Sequence, residues 1–169
     1  MINDFVDALI SSERSEYLPE EYDYWKDLIG EWDFDFVDNS GRHVEGEWLF
    51  SRVLEGIGIE DLWICPSRKT RDTNPQNDAE YGVALRMFNP RTKVWDMIYT
   101  YRGGMDRLTG TMEKGNVVLT KQDNPNEKWV FVERTKEKFH WQHVTVLENG
   151  DWQVNINIYA HRKTLSKDK

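Results

Sequence analysis

From Gly30 to Arg162 the chain is broken by turn residues at nearly regular intervals, and the short stretches between them leave no room for crossover helices. The breaks include Asp38-Asn39-Ser40-Gly41, Gly56-Ile57-Gly58, Asn89 to Lys93, Arg102-Gly103-Gly104, Lys114-Gly115, Asp123 to Asn126 and Asn149-Gly150. Between them lie ten strand-like segments. In the first, Trp32, Phe34 and Phe36 alternate with Glu31, Asp33 and Asp35, so rings face one side of a pleated strand and carboxylates the other. Short strands joined in order by hairpin turns predict an all-β, antiparallel up-and-down barrel of about ten strands.

Residues 1–27 read differently, as an N-terminal helical arm before a barrel domain over 28–165. Asn3 can cap a helix that puts Ile2, Phe5, Val6, Leu9 and Ile10 on one stripe. Pro19 can open a second helix, with Tyr22, Trp25 and Ile29 on one face. Such an arm can plug a barrel end or dock on a partner chain, in the simplest case as a homodimer. It is also acidic: residues 1–38 hold twelve Asp and Glu against two Lys and Arg, so the net charge of −8 sits almost wholly there. Nucleic acid is excluded as a partner, because phosphate recognition needs a basic footprint.

The ending Asn149-Gly150 suits a two-residue type I′ turn. That turn pairs Leu147 with Trp152, Thr145 with Val154, His143 with Ile156 and Trp141 with Ile158 on the more apolar face, which is assigned to the interior. A one-residue slip exchanges the two faces. Ser67 to Asp78 is the longest polar loop and the natural lid for a barrel mouth.

Gly30-Glu31-Trp32, placed after a short helix and opening the first strand, resembles the G-x-W signature of lipocalins and the wider calycin barrels. The resemblance extends to a group of uncharacterised bacterial lipocalin-like barrel proteins through Gly82-Val83-Ala84-Leu85-Arg86-Met87-Phe88-Asn89-Pro90, Trp95, and Trp141 to Arg162. It implies small-molecule binding and no particular reaction. It also implies that Gly30 and Trp32 close one barrel end, with Arg162 packed over the indole. Ten strands depart from the eight of true lipocalins, and the arm lies outside the resemblance.

The expected ligand site is a wall of rings with a few polar tips: Trp48, Trp95, Tyr99, Tyr101 and Trp141, with Arg86 and His143 as the polar groups. Glu60 and Asp61 are adjacent, so only one faces in. That one needs a cation, for which Arg86 is the obvious candidate. His140 and His143 are three apart on a strand and point to opposite faces, which argues against a shared metal. No cofactor fingerprint appears. These features predict a barrel that binds a small apolar or amphipathic molecule without catalysis. Two alternatives are a cofactor-free lyase or isomerase using His143, Arg86 and Tyr99, and an interaction module acting through the arm. Cys65 is the only cysteine, the N-terminus carries no leader pattern, and no apolar run reaches membrane-spanning length, so a cytoplasmic protein is expected.

Overall fold

The computed structural model describes residues 3–164. Ile2 of the expected apolar stripe and residue 165, the expected end of the barrel domain, lie outside the described residues. Ten strands form the wall: β1 Gly30–Val37, β2 His43–Val53, β3 Gly58–Cys65, β4 Glu80–Asn89, β5 Val94–Tyr101, β6 Gly104–Glu113, β7 Asn116–Lys121, β8 Glu127–Arg134, β9 Lys138–Val146 and β10 Trp152–Arg162. Each pairs antiparallel with its chain neighbours, and β1 pairs with β10 to close the barrel. This is the all-β up-and-down barrel that the turn spacing predicts. Among the described residues no helix is long and apolar enough to cross a membrane.

The first helix, α1 Asp4–Leu9, starts where expected, with the Asn3 side chain accepting from the Phe5 N–H at 3.1 Å. Its apolar stripe is not a core, because no residue of α1 is buried. The chain then adds a bridge from Ile10 to Val53 at the end of β2.

The second helix predicted from Pro19 does not form as a continuous element. Two 3-10 turns, Glu20–Tyr22 and Lys26–Leu28, take its place. Asp23 between them leaves helical geometry, with ψ at 62°, and its buried carboxylate meets Arg52 at 2.6 Å. The Tyr22 carbonyl is likewise taken by the Trp95 indole N–H at 2.9 Å. Tertiary partners thus replace the i→i+4 ladder. This segment plugs the barrel end: Leu18, Trp25 and Leu28 are fully buried, and Trp25 packs edge-on against Phe131 and Trp95.

The G-x-W stretch sits at that plugged end. The Arg162 guanidinium lies 4.2 Å from the centre of the Trp32 ring and donates to the carbonyls of Asp27, Ile29 and Lys136. The Trp32 indole N–H caps the Leu28 carbonyl at 2.7 Å. Gly30 has φ of +128°, and a side chain there would collide with the Arg162 guanidinium, so both backbone and space require glycine.

The last hairpin corrects the predicted register. The Leu147 N–H donates to the Asp151 carbonyl, which makes Glu148-Asn149-Gly150 a three-residue loop with Gly150 at φ +86°. Trp152 therefore pairs with Val146, and Val154 with Val144. A bulge at Asn155 restores the expected pairing from Ile156↔His143 onward. Ile158 and Ala160 point into the core, whereas Trp152, Val154 and Leu147 are exposed, contrary to the interior assignment.

Candidate functional site

The lumen divides into a filled half and an open half. Trp48 on β2 stands at the boundary, its ring in contact with those of Phe131, Phe139, Trp63 and Trp141. Below it the rings of Trp25, Trp32, Trp95 and Phe139 are buried with no solvent contact of consequence. Above it lies a cavity of about 230 Å³. A cavity of about 150 Å³ lined by apolar side chains holds benzene, and pockets for drug-sized molecules start at about 300 Å³. The open half therefore suits a one-ring or small two-ring molecule.

The floor of the cavity is a buried polar cluster. Asp61 is the inward member of the Glu60–Asp61 pair, and it receives the Arg86 guanidinium and the Trp48 indole N–H, the latter at 2.7 Å. Both charged side chains are 1% exposed. Burial pushes the Asp61 carboxyl up, and the Arg86 charge and the Trp48 hydrogen bond offset part of that rise. The Arg86 guanidinium also lies over the Trp25 ring at 4.5 Å, so it separates plug from cavity.

The walls are aromatic. Tyr99 on β5 and Trp129 on β8 meet across the lumen, with ring centres 5.5 Å apart, and Trp129 continues to Trp141 on β9 at 6.0 Å. The Tyr99 ring passes over Gly82, where any side chain would strike the phenol, and its hydroxyl reaches the carboxylate of Glu80. Burial raises the pKa of both groups; the shared hydrogen bond raises Tyr99 further and partly lowers Glu80. Two wall N–H groups, Trp141 Nε1 and Arg86 Nε, are buried and have no hydrogen-bond partner among the described residues.

The mouth is polar. The β1–β2 turn brings Arg42 to Asp78 and Gln76 of the loop between β3 and β4, at 2.5 Å and 3.1 Å, while Asp38 holds the other side of the guanidinium at 2.9 Å. That loop is anchored rather than loose. Arg68 grips the buried Glu47 carboxylate through both oxygens, and Arg71 donates to the carbonyls of Pro66 and Glu80. Cys65 lines the same cavity, and burial together with the nearby Asp78 and Glu80 charges pushes its thiol up to about 11. It is no nucleophile at neutral pH.

Of the residues predicted from sequence, Trp48, Arg86, Tyr99 and Trp141 line the cavity together. Trp95 lies in the filled half, tied to the arm. Tyr101 sits at the rim beside Tyr99, part exposed. His143 pairs across strands with the lining Trp129 and Ile156 but is bound to Glu127 and does not itself line the cavity, so it does not meet Arg86 and Tyr99 in one constellation. His140 points outward and stacks on Tyr159. Sequence reasoning passed over Trp63, Glu80 and Trp129. Strand parity carries the signal for two of them: Glu80 shares the parity of the inward Ala84 and Arg86, and Trp63 that of the inward Asp61. No protein-family model matches the chain, and no curated protein matches it at a significant level.

Proposed function

We propose that the chain is a lipocalin-like small-molecule carrier or sensor, whose cavity holds one small apolar or amphipathic molecule without transforming it. The observation that carries this is the ring-lined space of about 230 Å³ above Trp48, open at a polar mouth and floored by the buried Asp61–Arg86 pair. Rings supply apolar contact area, and the polar groups at the floor and mouth orient a molecule held between them. The Trp32–Arg162 packing behind Gly30 supports kinship with calycin barrels. A binding role without chemistry is favoured by the engagement of His143 with Glu127 rather than with Arg86 and Tyr99, and by the raised Cys65 thiol. The lone buried cysteine fits a reducing compartment such as the cytoplasm.

The test is a thermal-shift screen of one-ring and two-ring aromatic compounds bearing neutral acceptors, run on the wild type and on Ala84→Leu. Ala84 is 1% exposed and lines the cavity, so the larger side chain takes up ligand space. Compounds that bind the folded state raise Tm by an amount that grows with the logarithm of ligand concentration over Kd. They are expected to do so in the wild type and to lose most of that effect in Ala84→Leu. A screen with no stabilising compound, or shifts that persist unchanged in a folded Ala84→Leu protein, overturns the proposal.

A further inference from the structure

We infer that the mouth half of the cavity recognises an organic ammonium group, with Glu80 as its counterion and Tyr99, Trp129 and Trp141 as its aromatic wall. This rests on the binding role proposed above and adds the class of ligand.

The charges on the cavity wall do not cancel. Asp61 is paired with Arg86, and Asp78 shares Arg42 with Asp38. Glu80 is the third lining acid, and among the described residues its carboxylate has no cationic partner, only the Tyr99 hydroxyl. Arg71 comes near but spends its hydrogen bond on the Glu80 backbone carbonyl. The uncompensated carboxylate stands where two rings close on each other, since Tyr99 touches both Glu80 and the Trp129 ring. A cation placed there meets a carboxylate and the negative faces of electron-rich rings at once, in a site partly withdrawn from water. An anionic ligand meets the same carboxylate as a repulsive neighbour.

The experiment compares three probes that share a phenylethyl body, 2-phenylethylamine, 2-phenylethanol and 3-phenylpropanoate, by isothermal titration at neutral pH. The amine is expected to bind about tenfold more tightly than the alcohol, and the carboxylate more weakly than either. Glu80→Gln keeps an acceptor for the Tyr99 hydroxyl and removes the charge. It is expected to bring amine and alcohol to within about threefold, with alcohol affinity preserved. Glu127→Gln, which neutralises an interior acid outside the lining, is expected to keep the amine preference. Equal affinity for amine and alcohol in the wild type, tighter binding of the carboxylate, or an undiminished preference in Glu80→Gln overturns the inference. The wild-type comparison decides even if a variant does not fold. Binding of the alcohol without preference for the amine defeats the ammonium site alone and leaves the binding role standing; absence of binding by all three defeats the ammonium site, and the Ala84→Leu screen then judges the binding role separately.

Discussion

Arg86→Met is the perturbation that asks most of the structure. Methionine keeps the apolar stem that packs on Trp25 and removes the cation from a carboxylate that is 1% exposed. Breaking one side of such a buried pair costs about 3–5 kcal/mol, because the remaining charge has neither water nor partner. For a chain of this size that corresponds to a fall of roughly 6–20 °C in Tm. The second variant, Arg86→Met with Asp61→Asn, leaves an uncharged acceptor for the Trp48 indole N–H. It is expected to recover all but about 1–2 kcal/mol of the loss. Urea unfolding of the wild type, both single variants and the double variant gives the coupling energy directly. The pH dependence has a definite sign. In Arg86→Met the native Asp61 carboxyl binds its proton more readily than the unfolded one, so stability falls as pH rises and the deficit shrinks toward acid. A Tm loss under about 3 °C in Arg86→Met, or a double variant no more stable than the single, would show that water entering from the cavity solvates Asp61, and the dry-floor reasoning would fail.

Two further perturbations test the closed end and the loop anchor. Gly30→Ala combines a φ of +128° with a collision against Arg162 and is expected to cost about 1–3 kcal/mol; Gly103→Ala, at φ +103° with open space around it, serves as the strain-only control, and equal losses at the two sites would refute the role of Arg162. Burial by itself raises the Glu47 carboxyl, but hydrogen bonds from Arg68 and Lys163 overcome this and hold it at about 2, below its ordinary 4.5. Its contribution is therefore fully present above about pH 4.5 and disappears as pH falls through about 2, on the order of 2 kcal/mol in all. Glu47→Gln is expected to flatten the stability profile over that range in urea melts from pH 6 to pH 2, and an unchanged slope would count against the anchor.

The acid-side profile and the buried pair both depend on contacts that no short stretch of sequence specifies. Glu47 meets Lys163 across 116 positions and Arg68 across 21. The inward member of Glu60 and Asp61 was undecided from sequence, since parity alone says that one faces in without saying which. The partner was easier to foresee, because a lone buried charge must find a cation and Arg86 shares the inward parity of its strand. At the last hairpin Asn149-Gly150 pointed to a turn and correctly located it, yet the loop took three residues and Asn155 bulged to absorb the difference. Trp152 accordingly turned outward. Turn chemistry is local, but register is settled by which apolar set the closed barrel can bury.

What the sequence determined by itself is the wall: the alternation of rings and charges and the spacing of turns require short antiparallel strands, and ten of them joined in order close on themselves. Gly30, Trp32 and Arg162 were also legible, through the resemblance of Gly30-Glu31-Trp32 to the G-x-W signature, which implies an arginine over the indole. Only the tertiary structure decided how the lumen is divided. Whether Trp95 and Trp141 fill a core or line a cavity depends on where the arm inserts Trp25, and on the width that ten strands leave above Trp48. That is a matter of volume shared among residues far apart in the chain, and periodicity, which reports direction but not depth, does not contain it.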